Sequence, residues 1–431
     1  MLLPPATSSP CSPSPLTASS SAILAPPDIP VSSRPPEERT FSSFVPWALT
    51  TSVKAHVLHA DCIRRQHHQL QDAFFRALFI GVNSPFLELR IRRDRLVRDA
   101  VYQLERYEPL ELQKALKVQF VGEEGVDEGG LRKEFFSLLA REVFRSDYGM
   151  FTWRERSRLC WFSWIQLEEY RLVGIMLGLA IYNNVQLEVK FPSAAYKRLC
   201  GHPVGLDDLC ELDPDLGNGL AKLLTLTKEE LDGLEMTFEV DVEVYGQNQT
   251  FPLGPDGEKR AVTVDNRQEY IDRYVQWIFV DSVKQQYGSF QEGFHLLCQG
   301  TIQKLFRPEE LELIVCGSKH LDFKRLESAC KYDGGFTEDS PLIKEFWLLV
   351  HGMGEMDQRR LLTFVTGCDR APAGGLGQLS FTITRNGGDS NRLPTAHTCF
   401  NTLLLNEYAR VEDLRERLMT AIRNDEGFGL M

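Results

Sequence analysis

RPEELELIVCGSKH, residues 307–320, is the stretch that divides this chain. RPEELELIVC runs into Gly317, Ser318, Lys319 and His320, a short polar break between two parts of different character. Beyond the break, SPLIKEFWLLVHGM (340–353) and MDQRRLLTFV (356–365) read as helices. LSFTITRN (379–386) and CFNTLLL (399–405) read as strands, and VEDLRERLMTAIRN (411–424) as a last helix. Residues 321–431 therefore predict a small α/β unit.

Ahead of the break the sequence is longer and mostly helical. DCIRRQHHQLQDAFFRALFI (61–80) places Ile63, Leu70, Phe74 and Leu78 at the spacing of an amphipathic helix. FLELRIRR (86–93) alternates as a half-buried strand, with Asp94 as the expected cap of RLVRDAVYQLERY. LRKEFFSLLAREVF (131–144) reads as a helix. EYRLVGIMLGLAIYNN (169–184) is apolar on all sides and predicts a buried helix; its Gly174 and Gly178 lie one turn apart and suit a close helix neighbour. MTFEVDVEVYG (236–246) alternates as a strand, and RQEYIDRYVQWIFVDSVKQQY (267–287) reads as one long helix. No internal repeat is evident. Residues 1–36 hold ten Pro and nine Ser, too little apolar surface to offset chain entropy, so residues 1–40 are expected to be a disordered tail and 41–59 a leading segment.

Composition excludes several classes. The 431 residues are 43% hydrophobic and 25% charged, as in an ordinary globular chain with room for two or three domains. A net charge of -12 sets the global field against phosphate backbones, so nucleic acid is not an expected main partner. The most apolar run, 173–181, is too short to span a membrane, and the N-terminus lacks the pattern of a signal peptide. The chain is expected in the cytosol or nucleus. None of the ten cysteines forms a C-x-x-C pair or a zinc spacing, so no metal is expected and most thiols should be buried small hydrophobes. GEEGVDEGG (122–130) is glycine-rich, but its four acids would repel a phosphate; it reads as a tight acidic turn into a helix. With no cofactor fingerprint, any chemistry rests on side chains.

One candidate nucleophile stands in LPTAHTCFNTLLL (393–405). In an extended segment His397 and Cys399 share a face, and an imidazole nearby raises the thiolate fraction of a cysteine. On its own a His-x-Cys pair is weak, because buried structural cysteines are common.

LPTAHTCFN resembles the active-site motif of the HECT family of ubiquitin ligases. The likeness recurs in order along the chain: FVGEEGVDEGGLRKEFF, GMFTW, LVGIMLGLAIYNN, LFRPEELELIVCGSKHLDF, YDGGFTEDSPLIKEFW, LLTFVTGCDRAPAGGLGQL and the terminal EGFGLM. It covers residues 60–431 and is nearest the branch around the E6-associated-protein ligase. The resemblance implies an α+β, bilobal fold. A mostly helical N-lobe with small sheets (60–317) carries an E2-binding subdomain at about 190–300. A flexible hinge (318–320, with Gly317 at its edge) joins it to a smaller α/β C-lobe (321–431). It implies an E3 ubiquitin ligase that takes ubiquitin from an E2 conjugating enzyme onto Cys399 as a thioester and passes it to substrate lysines, with no cofactor. Thr398 and His397 would orient or assist the thiol. Phe428 would help place the C-lobe, and Asp127 and Glu128 are candidate acids for the lysine proton. Some branches carry an acid five residues after the cysteine; here that position is Leu404. Leu216, Leu220 and Leu223, facing Tyr270 and Tyr274, match the E2 groove, provided that these side chains are exposed rather than packed on their own core. A cysteine hydrolase and a non-catalytic scaffold are the competing readings. The substrates are not legible.

Overall fold

The computed structural model describes residues 48–79, 84–123, 130–164, 169–244, 247–298, 300–388, 391–398 and 400–424. The first forty residues therefore lie outside the described part. Two apolar cores organise the rest. One is built by residues between Leu58 and Cys316, the other by residues between Phe323 and Ile422. They divide across residues 317–322.

The first lobe opens with α1 (Thr51–Phe79), which starts ahead of the expected Ala60. Its early turns are held by a buried ion pair, Lys54 Nζ to Glu310 at 2.6 Å. Strands β1 (Phe86–Ile91) and β2 (Ala115–Phe120) pair in parallel, joined by α2 (Leu96–Leu104). Asp94 does not cap α2, because it lies inside a short 3-10 turn. Asp99 takes the structural role instead, accepting from the Arg92 backbone and guanidinium. Helix α3 (Gly130–Val143) and the hairpin β3 (Phe151–Trp153) and β4 (Cys160–Phe162) lead into α4 (Glu169–Tyr182).

Helix α4 is buried on nearly every side, as its uniform hydrophobicity predicts. It packs along α10 (Lys284–Cys298). A Cβ on Gly174 would stand 1.9 Å from the Phe290 carbonyl oxygen, and one on Gly293 would stand 2.1 Å from that of Arg171. The two backbones touch, and only glycine permits it.

Between them, α5 (Ser193–Leu199), α6 (Leu206–Leu212), α7 (Pro214–Leu223), α8 (Lys228–Asp232), the antiparallel pair β5 (Glu239–Val244) and β6 (Gln247–Pro252), and α9 (Arg267–Gln276) follow in order. α6 packs on α7 and α9, whereas α5 joins α12 (Pro308–Cys316) and α10 joins α4. The expected long helix over 267–287 is broken by a wide π-type turn at Trp277–Asp281. Side chains from elsewhere take the carbonyls on that turn: the buried Trp161 donates to Ile278 O at 3.2 Å, and the partly buried Arg198 to Phe279 O. Helix α11 (Thr301–Leu305) then leads to α12.

The second lobe contains α13 (Phe323–Ala329), β7 (Lys331–Asp333), α14 (Pro341–His351), α15 (Glu355–Thr366), β8 (Thr382–Arg385), β9 (Thr395–His397), β10 (Thr402–Leu405) and α16 (Val411–Arg423). Its sheet runs β7-β8-β10-β9, parallel except for the last pair. The fold is α+β, as expected. No described helix is long and apolar enough to cross a membrane.

Candidate active site

In the second lobe, β9 and β10 pair on either side of sequence position 399. Thr402 pairs with His397, which leaves residues 398–401 as the loop between β9 and β10. The Phe400 N–H donates to His397 O at 3.1 Å, a tight turn. Asn401 adopts a left-handed φ of 49°, which asparagine tolerates better than other residues with a Cβ. The expected strand from 399 to 405 therefore begins only at Thr402. Thr398 already belongs to the turn, so the extended stretch that would put positions 397 and 399 on one face stops at His397. Cys399 itself lies outside the described residues, as do Asp127, Glu128 and Phe428. His397 and Phe400 are exposed, and Thr398 is partly buried.

The segment entering β9 is anchored from beneath. Asn406 is wholly buried and donates to the carbonyls of Arg392 and Leu393 at 3.2 and 3.3 Å. Tyr408 adds a bond to Arg392 O at 2.7 Å. Neither was singled out by sequence; an Asn inside an apolar strand end was the available signal.

Eight other cysteines are described, and all are free. Burial raises the pKa of each. Cys62 and Cys330 are pushed up to about 12, and Cys200 and Cys368 to about 11. Cys160, Cys210, Cys298 and Cys316 move in the same direction for the same reason. A thiol held neutral is a poor nucleophile.

The hinge is clamped in this arrangement. Gly317 ends α12 with φ 73°, and a Cβ there would meet Ala371 O at 2.6 Å. Ser318 and Ala371 exchange backbone hydrogen bonds of 2.7 and 3.0 Å. Arg359 donates to Lys319 O at 2.6 Å while pairing with Glu355. A cleft of about 850 Å³ opens between the lobes, lined among others by His56, His59, Asn183, Gln186, Arg370 and Asn401. Across its edge Lys133 of α3 reaches the hairpin loop, at 2.9 Å from both Thr398 O and Asn401 Oδ1. Sequence reasoning missed Lys133.

The expected E2 groove takes a different form. Leu220, Leu223, Tyr270 and Tyr274 are buried at 5%, 7%, 3% and 8% exposure, and Leu216 is partly buried. Tyr270 and Tyr274 stack edge-on at 5.9 Å, and the Tyr270 hydroxyl donates to Glu239 O. These side chains belong to the core of the first lobe, so the exposure that a hot spot requires is absent. An i, i+4, i+7 stripe looks the same in sequence whether it faces a partner or a core.

Comparison with known proteins completes the site. Residues 137–431 match the model of the HECT-domain (ubiquitin-transferase) family. The probable E3 ubiquitin-protein ligase HECTD2 of Homo sapiens is 39% identical over 406 residues, covering 89% of this chain and 52% of that protein. The probable ligase HERC4 of Homo sapiens is 38% identical over 397 residues, covering 90% of this chain and 38% of the relative. The probable ligase HUL4 of Eremothecium gossypii is 36% identical over 404 residues, 89% and 48% of the two chains. The chain thus spans about half, or less, of the length of these relatives. The first lobe from within α3 onward, the hinge and the whole second lobe with its β9–β10 hairpin fall within residues 137–431, and the chain belongs to the HECT-domain family.

Proposed function

We propose that this chain is the catalytic module of an E3 ubiquitin ligase, and that Cys399 carries ubiquitin as a thioester. The observation that supports this most directly is the family match across residues 137–431, which contains the hairpin loop 398–401 and the motif LPTAHTCFN.

Two acyl transfers make up the reaction. The Cys399 thiolate attacks the carbonyl carbon of the E2–ubiquitin thioester, and the E2 thiolate leaves. One thioester replaces another, so the step is near balance and needs no cofactor. A substrate lysine amine then attacks the Cys399 thioester. The C–S bond breaks, an isopeptide forms, and the ammonium proton passes to a base; Asp127 and Glu128 are our candidates. Thr398 and His397 orient the acyl group or the thiol, and Phe428 helps place the C-lobe. The E2 docks on the small subdomain of α6 to α9, over the core that Leu216, Leu220, Leu223, Tyr270 and Tyr274 form. Partners are the E2, ubiquitin and protein substrates in the cytosol or nucleus, without nucleic acid or membrane. Kinship with the E6-associated-protein branch rests on motif likeness alone.

The test is a pair of gels after incubation with activating enzyme, ATP, a panel of E2s and labelled ubiquitin. A ubiquitin-shifted band that reductant removes and Cys399→Ala abolishes is expected. No band with any E2, from folded protein, would leave the scaffold reading in its place.

A further inference from the structure

Lys133 stands on α3 beside Arg132. Its ammonium reaches the Thr398 carbonyl and the Asn401 side chain, each at 2.9 Å. These residues stand on either side of position 399 in sequence. Charge-assisted bonds are shorter and stronger than neutral ones.

The loop is shaped to receive them. The left-handed Asn401 turns the chain and offers its side-chain oxygen in the same step. Its backbone oxygen is occupied by the Thr382 N–H at 3.1 Å, which ties the loop to β8. Thr398 O already accepts from the Asn401 N–H at 3.4 Å, and Lys133 occupies its remaining lone pair. On the other side α3 is rigid, with Phe135 and Phe136 fully buried. Lys133 thus joins two cores that covalent structure connects only through residues 317–322. The bond exists in one arrangement of the lobes and breaks when they rotate.

That arrangement belongs to one of the two steps. On the E2 docking proposed above, position 399 meets in the first transfer a thioester held on the small subdomain. Helix α3 packs elsewhere, on α2, β2 and α4. A loop seated on α3 is therefore seated on the main body of the first lobe.

We propose that Lys133 is a positioning residue that seats the catalytic loop for the second transfer, from Cys399 to the lysine amine, and is not used in the first. The proposal rests on the reading of Cys399 as the thioester carrier. Lys133 touches no reacting atom; it fixes the turn on which that atom is carried, and an ångström of misplacement is costly in acyl transfer.

Single-turnover pulse-chase with the full chain separates the steps. Lys133→Met is expected to load ubiquitin from the E2 at the wild-type rate. Its discharge to free lysine should slow by about tenfold or more, as the loss of charged hydrogen bonds implies. Lys133→Arg, which keeps the donors, should recover most of the rate. Asn401→Gly keeps the left-handed turn but removes one acceptor, and should slow discharge less. Adding Lys133→Met to it should cost no more than Lys133→Met alone, since both remove the same contact. Unchanged discharge in Lys133→Met overturns the proposal, and so does equal slowing of loading and discharge. If the wild type itself forms no thioester, the reading of Cys399 fails first, and that result is distinct from either.

Discussion

The α4–α10 pair and the junction of the two lobes are built on opposite plans. In the first, two helices lie backbone to backbone, with Gly174 and Gly293 admitting carbonyls where any side chain would collide. In the second, contact across a cleft of about 850 Å³ includes a lysine, an arginine and a pair of backbone bonds. Apolar close packing has no second arrangement of comparable energy, because any sliding opens voids. Polar bonds at a wet edge exchange with water at little net cost. The helix pair is made to stay and the junction to come apart. In the proposed two-step transfer one thiol meets two reaction partners, which calls for both kinds of contact.

The largest way to break this contrast is Gly174→Val. The added atoms meet the Phe290 carbonyl at the outset, so the helices must separate along their length. Upwards of about 4 kcal/mol of stability should be lost, read as a shift in urea midpoint. A loss near zero would mean that the pair slides, and the distinction between the regions would fall.

Next is the buried pair that holds α1 to α12 behind the hinge. The Lys54 and Glu310 side chains are 2% and 6% exposed. Burial alone would raise the Glu310 pKa, but the Arg307 N–H, Lys54 and Thr51 outweigh it and hold the carboxyl below its usual range. Lys54→Met strands that carboxylate and should cost about 3 kcal/mol. Adding Glu310→Gln should restore part of it, since a buried charge without a partner costs more than no charge. If the double variant is the less stable of the two, the pair contributes outright rather than by avoiding a stranded charge.

The junction should respond differently. Gly317→Ala meets a left-handed φ and the Ala371 oxygen, yet lies where the chain is made to bend. Global stability should fall by only about 1 kcal/mol. The Ser318 and Ala371 amides, by contrast, should lose hydrogen-exchange protection. Protection unchanged at these two amides would show the clamp to be independent of the glycine.

What could be read in the sequence follows the same division. The buried α4, with its small residues one turn apart, is declared by composition, and so is the polar break at 317. Periodicity does not report which neighbour a periodic face meets, so Leu220, Leu223, Tyr270 and Tyr274 read equally as groove or core. Nor does it report turns made of strand-like residues: Phe400 and Asn401 look extended and are not. The π-type turn at 277 was hidden for another reason. The groups that bond its carbonyls, Trp161 and Arg198, are far away in sequence. Lys133 was hidden because its partners lie 265 and 268 residues away.

The smallest effect concerns pH, and it too sorts by region. Burial lowers the pKa of His295, which sits on α10, despite an opposing bond from Leu199. Burial and the neighbouring His56 lower that of His59, at the cleft. Each is then held neutral when folded but gains a proton when unfolded below the ordinary value of about 6.5. The unfolded state binds more protons in that window, so stability rises with pH through it and is lost as pH falls toward the folded values. The thiols work at the other end. Cys62 and Cys330, pushed up to about 12, stay protonated when folded but ionise when unfolded above about 8.5, so stability falls again there. Urea midpoints from pH 5 to 10 should therefore trace a plateau with two shoulders. His295→Gln should flatten the acid shoulder, because α10 is packed in every arrangement of the lobes. His59→Gln should flatten it less, because a cleft that opens lets its histidine take up a proton without unfolding the protein. Equal flattening by the two would mean that the cleft is as closed as the helix pair.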